Sequence, residues 1–199
     1  MSVSGNRAGT QNQVRIIGGQ WRGRKLAFVP VDGLRPTGDR IRETLFNWLD
    51  PYITGARCAD LFAGSGALGL EALSRGAEHC DFVDCKNAAL AQVRSHLKTF
   101  EALGRGSCHA VSAQRFLQAA SVPYDVAFID PPFKLQLVEP VCTALAQKQL
   151  LREDALVYVE MGATEPPPGV PPSWSLYREK VSGGVVYRLF RVYRTENSC

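Results

Sequence analysis

Asp60-Leu61-Phe62-Ala63-Gly64-Ser65-Gly66-Ala67-Leu68-Gly69 decides how this chain folds. A short apolar run from Cys58 leads into it, and a second apolar run leaves it toward Gly76. Between them Gly64, Gly66 and Gly69 spell G-x-G-x-x-G. Glycine accepts a left-handed backbone and lets a ligand or a neighbouring element approach closely. Asp84 ends the next apolar run, 20 residues after Gly64. A carboxylate at that place accepts hydrogen bonds from both hydroxyls of a ribose. The succession of strand, glycine turn, helix, strand and acid predicts an α/β fold with a seat for an adenosine-bearing cofactor.

Outward from the loop, strand and helix patterns alternate. Strands are expected over 58–63, 80–84, 107–111, 125–129 and 155–160. Helices are expected over 67–75, 87–103, 114–120 and 138–149, with Gly76 and Gly104 stopping the first two. This order predicts a parallel sheet covered by helices on both faces. Proline-rich 162–172 reads as a loop. Residues 173–181 and 185–194 then flank Ser182-Gly183-Gly184, a hairpin signal. The expected sheet has seven strands and is mostly parallel with an antiparallel last strand, the terminal pair lying against the rest. Ahead of it, a small hairpin is expected over 14–17 and 25–29. A helix follows, opened by Pro36-Thr37, capped by Thr37 and ended by Pro51. Its apolar stripe is Ile41, Leu45 and Leu49, widened by Phe46 and Trp48.

The second informative segment is Asp130-Pro131-Pro132-Phe133, which ends the strand at 125–129. Ligands of open α/β sheets bind beyond the carboxyl ends of strands, so this segment and the glycine loop open on one edge. Two prolines fix φ and remove two N–H donors, leaving carbonyls and the Asp130 carboxylate as acceptors. An aryl amine is a poor nucleophile because its lone pair is delocalised into the ring. Acceptors at Asp130 and at the Pro131 carbonyl favour pyramidal nitrogen, and Phe133 offers a face for an extruded base. Asp60, four residues before Gly64, suits the ammonium or sulfonium end of S-adenosylmethionine and would repel a dinucleotide pyrophosphate. The reading is therefore methyl transfer onto an exocyclic base nitrogen.

Bulk properties set the frame. The chain has 199 residues, 45% hydrophobic and 21% charged, within the range of one globular domain. No apolar stretch reaches the ~18 residues of a membrane span, and the polar start has no signal-peptide core. A cytoplasmic location without membrane contact is expected. Six cysteines lack C-x-x-C spacing and three histidines lack ligand spacing, so buried thiols and no metal site are expected. Charge is uneven. Residues 1–42 carry eight Lys or Arg against Asp32 and Asp39, a local +6 in a chain of net +4. A basic N-terminal segment on a mildly acidic body points to a polyanion.

These residues resemble the RsmD-type family of bacterial small-subunit ribosomal RNA guanine-N2 methyltransferases. The resemblance runs from about Arg15 to Tyr193. It is carried by Arg15-Ile16-Ile17-Gly18-Gly19, by Trp21-Arg22-Gly23-Arg24, and by Arg35-Pro36-Thr37 leading into Arg40-Ile41-Arg42-Glu43-Thr44-Leu45-Phe46-Asn47. The glycine loop and the Asp-Pro-Pro-Phe clamp complete it. The resemblance implies a Rossmann-like class I methyltransferase fold with S-adenosylmethionine as cofactor. It implies 16S rRNA in the 30S subunit, or in its assembly intermediate, as substrate, and a monomer. Asp60, Gly64 and Gly66 would line the methionine end, Asp84 the ribose, and Ser112 and Ala113 the adenine, with Phe62 also among the cofactor-binding residues, while Thr37 and Arg40 close over the cofactor. Asp130, Pro131, Pro132 and Phe133 would hold the amine and its base. Arg15, Arg22, Arg24, Lys25 and Arg35 would meet RNA phosphates.

The expected division is a disordered tail (1–13), a basic hairpin-and-helix extension (14–52) and a methyltransferase domain (53–199). Two other functions use some of these parts. DNA methylation at adenine N6 or cytosine N4 employs the same clamp, but this chain has no room for an inserted target-recognition domain. A non-catalytic RNA-binding assembly factor would not require an intact loop and clamp. A nicotinamide dehydrogenase conflicts with Asp60.

Overall fold

The structure, a computed structural model, describes residues 12–28, 38–133 and 135–193. Arg35, Thr37 and the tail up to residue 11 lie outside the described residues. The chain opens with a hairpin of β1 (Asn12–Arg15) and β2 (Lys25–Phe28), paired antiparallel. Its connection is a short 3-10 turn, Gly19–Trp21, closed by Gly23 N–H to the Ile16 carbonyl (2.9 Å) and Ile16 N–H to the Arg24 carbonyl (2.9 Å).

Helix α1 (Asp39–Ile53) buries Ile41, Leu45, Phe46 and Leu49, the stripe expected from their spacing. Its cap is Gly38, which supplies extended backbone and no side-chain bond. Pro51 does not end it. Proline's fixed φ is helical, and in the last turn its missing N–H forfeits one bond while Ile53 is still buried.

Five parallel strands alternate with helices: β3 (Arg57–Asp60), α2 (Ala67–Ser74), β4 (His79–Val83), α3 (Asn87–Thr99), β5 (Gly106–His109), α4 (Ala113–Ala119), β6 (Tyr124–Ile129), α5 (Val138–Gln147) and β7 (Leu151–Gly162). The terminal hairpin is β8 (Trp174–Ser182) and β9 (Val185–Val192). The sheet order is β5-β4-β3-β6-β7-β9-β8. Only β9 runs against its neighbours, so β8 is parallel to β7. The expectation that both strands of the last pair run against the sheet fails for a simple reason: a hairpin reverses direction, so one of its strands must rejoin the common sense.

Three helix ends share one construction. After α2, Gly76 is left-handed (φ 100°), its N–H bonds the Leu73 carbonyl, and Ala77 N–H bonds the Ala72 carbonyl. After α3, Glu101 (φ 54°) takes the same position, with Ala102 N–H on the Leu97 carbonyl. After α5, Gln149 (φ 52°) does so, with Leu150 N–H on Leu145. These are Schellman ends. They stop α3 at Thr99, ahead of Gly104, and α5 at Gln147, two residues short of the expected bound.

The sheet separates two apolar cores. One gathers α1, α2, α3 and the hairpin residues Val14, Ile16, Trp21 and Leu26. The other gathers α4, α5 and the opposite face of the sheet, around Val141, Leu145, Val157 and Phe190. Cys58, Cys80 and Cys142 are buried free thiols and Cys108 is half-buried. Burial raises all four, Cys142 to about 12. Cys85 departs from the buried expectation and is exposed, because it follows the end of β4. Among the described residues no helix is long and apolar enough to cross a membrane, and no group of three His, Cys, Asp or Glu is placed to hold a metal.

Candidate active site

The strand order reverses between β3 and β6, which pair in parallel with Asp60 beside Phe128. Leu61 N–H extends that pairing onto the Phe128 carbonyl (3.1 Å). The glycine loop and the Asp-Pro-Pro-Phe segment therefore leave adjacent strands at the same end, on the two sides of the topological switch point.

The glycines have distinct tasks. Gly66 caps α2 in the left-handed conformation (φ 76°, ψ 12°), where a side chain would be strained and its Cβ would lie 2.8 Å from Val93. Gly69 lies inside α2, where a Cβ would come within 2.3 Å of the Phe82 ring and 2.7 Å of the Cys80 sulfur. It lets the helix lie directly on β4. Gly64 N–H donates to Asp84 Oδ2 (2.9 Å), and Asp84 Oδ1 accepts from Lys86 N–H (2.8 Å). The carboxylate at the end of β4 is thus fixed at the lip of the loop, half-exposed.

Asp60 is buried, and its Oδ2 accepts from Gly69 N–H (3.0 Å) in the first turn of α2. Burial raises its carboxyl to about 7, the Gly69 and Phe62 N–H groups opposing and the Asp84 charge adding to the rise. Phe62 is half-buried against the α4/α5 core. Ser112 caps α4, accepting from Arg115 N–H (3.2 Å), and Ala113 is buried as that helix's first residue. Ser112 and Asp84 stand on neighbouring strand ends, since β4 and β5 pair up to Val83 and His109.

Across the switch point Asp130 is half-buried, Pro131 buried, Pro132 exposed and Phe133 43% exposed, an unusual placement for so apolar a ring. Behind it Tyr158 is buried and donates to Glu160 Oε2 (2.7 Å). Burial pushes the Tyr158 hydroxyl well up, and the nearby charges of Glu160 and Asp130 push it further. A cavity of about 900 Å³ opens beside the clamp, lined by Pro131, Pro132, Phe133, Glu160, Met161 and residues of α5.

The basic residues lie elsewhere. Arg15, Arg22, Arg24 and Lys25 are all exposed on the hairpin. Arg24 rests over the Phe100 ring (5.2 Å), which stacks on Trp21 (4.6 Å). Arg15 approaches Asp39 at 3.9 Å. Arg40 is exposed in the first turn of α1, and its carbonyl accepts from the Thr44 hydroxyl (3.0 Å).

Three features escaped the sequence reading. Glu71 is wholly buried and meets Arg42 at 3.7 Å, also wholly buried. A lone carboxylate in the otherwise apolar Ala67–Ser74 was the available signal. Arg42 had a weaker one, a charge beside the apolar stripe of α1. Glu160, buried two residues before the end of β7, had a similar signal, an acid in an apolar run.

The model of the family described as Conserved hypothetical protein 95 matches residues 14–191. Ribosomal RNA small subunit methyltransferase D of Escherichia coli (strain K12) is 49% identical over 179 residues, covering 90% of this chain and 90% of that protein. The Haemophilus influenzae protein of the same name is 42% identical over 184 residues, covering 91% and 95%. The solved Escherichia coli structure yhhF is similar with a TM-score of 0.84 and 46% identity, covering 92% of this chain and 100% of that one.

Proposed function

We infer the activity from one premise: the chain belongs to the family described as Conserved hypothetical protein 95. Its fold is the Rossmann-like class I methyltransferase fold. The chain methylates ribosomal RNA of the small subunit, as the names of its relatives say of them. The finer reading is transfer from S-adenosylmethionine to the exocyclic N2 of one guanine in 16S rRNA, within the 30S particle or its assembly intermediate.

The observation that carries this reading is the switch point, where a glycine loop and an acceptor-rich proline clamp emerge from neighbouring strands tied by the Leu61–Phe128 hydrogen bond. The cofactor side fits its group. Gly66 sits where any Cβ would collide with Val93, and Asp84 is held at the loop with an oxygen on Gly64 N–H. Asp84 would take the ribose hydroxyls, Asp60, Phe62, Gly64 and Gly66 would line the methionine end, and Ser112 and Ala113 would border the adenine. When bound, S-adenosylmethionine supplies a methyl group on positively charged sulfur. On the acceptor side, Asp130 and the Pro131 carbonyl accept the two N–H bonds of the amine and draw its nitrogen toward pyramidal geometry. Phe133, exposed at the mouth, stacks the base turned out of its helix. The pyrrolidine rings exclude water from the face on which the amine reacts. Arg15, Arg22, Arg24 and Lys25 hold RNA phosphates.

The test is direct. Unmodified small subunits and naked 16S rRNA are incubated with methyl-labelled S-adenosylmethionine, and the labelled nucleoside is mapped. The expected product is N2-methylguanosine at one position. Asp130→Ala should abolish turnover while calorimetry still records cofactor binding. Label on another base, or full activity in the variant, overturns the reading.

A further inference from the structure

We propose that one flank of α1 and the outer strand β8 form a second RNA surface, a track for unpaired nucleotides next to the target. This rests on the reading of RNA as substrate. It goes beyond the basic hairpin, which lies on the other flank of α1.

The track is built by register. Lys180 pairs with Tyr187, and Tyr187 with Glu160. One residue past the Ile129–Val159 pair, Asp130 stands beside Glu160. Lys180 thus lies on the rung of the clamp, three strand spacings or about 14 Å from Asp130. The Tyr187 ring is buried and meets Trp48 of α1 at 5.5 Å. One helical turn on, the Tyr52 hydroxyl meets the Tyr177 hydroxyl (3.4 Å). Tyr177 sits where the β8 register shifts between Leu176 and Arg178. The Arg178 guanidinium lies over its ring at 4.1 Å and donates to the Tyr177 carbonyl (3.0 Å). Trp48, Tyr52 and Tyr177 are half-buried, while Arg178 and Lys180 are exposed.

Charge and ring chemistry together say what fits. The acids of α1 keep to the other flank: Asp39 approaches Arg15 of the hairpin, and Glu43 and Asp50 share its side by helical period. On β8, Glu179 alternates to the opposite face and pairs with Arg188. Asp154, at the far end, is paired with Arg191. Among the described residues neither Arg178 nor Lys180 has a carboxylate within ion-pair distance. Two uncompensated cations beside three partly exposed rings suit a phosphate backbone whose bases are free to stack. A guanidinium held flat on a tyrosine presents its outer face to a base as well. A duplex keeps its base faces covered and could use the cations alone. A target turned out of its helix leaves neighbours that need such a support.

The test uses the full chain and two probes: a labelled single-stranded oligoribonucleotide of about 12 residues and duplex RNA of the same sequence, both followed by anisotropy. Arg178→Ala with Lys180→Ala should weaken single-strand binding about tenfold and lower its salt slope by about 1.4, since each single-strand phosphate contributes about 0.7. Duplex affinity should change less than about twofold, and S-adenosylmethionine affinity and melting temperature should stay at wild type. Trp48→Phe should bind the single strand as wild type does and Trp48→Ala about tenfold less well. A photocrosslinking residue in place of Thr44, on the same flank, should label RNA in small-subunit particles. Unchanged single-strand affinity in the double variant overturns the proposal, as do equal losses on both probes. Crosslinks confined to ribosomal protein overturn it too, and make the face a protein contact. If particles take up no methyl label while the binding results stand, the guanine-N2 reading fails and the track does not.

Discussion

Glu71 and Arg42 meet at 3.7 Å with both side chains wholly buried, and through them three separate parts of the chain are joined. Glu71 accepts from Ile17 N–H (2.7 Å) and Gly18 N–H (2.8 Å) and from Arg75 Nε (2.8 Å). Arg42 donates to the Arg15 carbonyl (2.9 Å) and to Asp39 (2.6 Å). The helix that leaves the glycine loop is thereby tied to the basic hairpin and to α1. Trp21 N–H on the Ser74 hydroxyl (3.0 Å) and that hydroxyl on the Gly18 carbonyl (2.6 Å) add to the seam.

Removing the carboxylate should therefore cost far more than an exposed pair does. Glu71→Ala takes one of two carboxylate partners from the buried Arg42 guanidinium, leaving Asp39, and removes the acceptor of two N–H groups, a loss of about 3–5 kcal/mol. Urea unfolding should show a lowered midpoint, and amide exchange at Ile17 and Gly18 should quicken. Glu71→Gln, which retains an acceptor, should fall between. A wild-type midpoint in Glu71→Ala contradicts the role given to this seam.

Asp60 gives a pH dependence with a definite sign. Its folded carboxyl is raised to about 7, chiefly by burial, whereas an unfolded Asp titrates near ~3.9. The folded chain holds a proton that the unfolded chain has released, so this stabilisation is complete below pH ~4 and is lost as pH rises through 7. Asp60→Asn is neutral throughout. Relative to wild type it should gain stability between pH 4 and 8, by on the order of 3 kcal/mol. Cofactor binding adds a second reading of the same group. The ammonium proposed to lie beside Asp60 would favour the charged form, so affinity should strengthen as pH rises toward 7, with proton release on binding. Urea melts and calorimetry in buffers of different ionisation enthalpy measure the two effects. A flat wild-type-minus-variant difference across this range refutes the assignment.

How much of this was legible depends on whether a feature leaves a mark in local pattern. The glycine loop and Asp84 did, because a positive φ at Gly66 and a close helix–strand approach at Gly69 exclude nearly every other residue. The stripe of α1 did, because burial recurs with the helical period. The end of α2 was visible in Gly76, whereas α3 and α5 use the same left-handed end with Glu101 and Gln149, and nothing local marks those two. β7 begins at Leu151, four residues before its apolar run, since Arg152 pairs with Asp125 (2.9 Å) and Asp154 takes a left-handed bulge (φ 62°). The clamp was legible as chemistry, but the strand that lies beside it was not. Side-by-side placement on β6 and β7 follows from strand order, and a single sequence does not contain strand order. The hairpin partners of Glu71 were hidden in the same way, since they lie about 54 residues away in the sequence.

Asp81 supplies the opposite sign. Burial alone would raise its carboxyl, but hydrogen bonds with His79 and His109, the Arg57 charge and the Tyr124 hydroxyl outweigh it and hold it at about 2. The contacts are short: His109 at 2.8 Å, Arg57 at 2.7 Å and Tyr124 at 3.0 Å. A depressed carboxyl contributes stability that is full above the unfolded value near ~4 and is lost as pH falls toward 2. Asp81→Asn should thus be less stable than wild type at pH 7 by about 2 kcal/mol, and the gap should close as pH drops to 2.5. Thermal melts of both proteins across that range measure it. A gap that persists undiminished in acid excludes the charged network as its source.

The basic hairpin makes a prediction about salt. Arg22 and Lys25 project into solvent, while Trp21 anchors the turn, stacked on Phe100 and covered by Arg105 at 5.8 Å. The turn is anchored by a buried ring and the charges on it are exposed, so truncating them should alter electrostatics and leave the fold alone. Each phosphate contact on a duplex releases counterions and adds about 0.9 to the slope of log K against log salt. Arg22→Ala with Lys25→Ala should therefore weaken binding to small-subunit particles and reduce that slope by about 1–2, with no change in melting temperature or in S-adenosylmethionine affinity. Arg152→Ala, on β7 and paired with Asp125, serves as the control and should leave the slope where it was. A slope unchanged in the double variant means that the hairpin does not touch RNA phosphates, and that the polyanion is met on another face of the molecule.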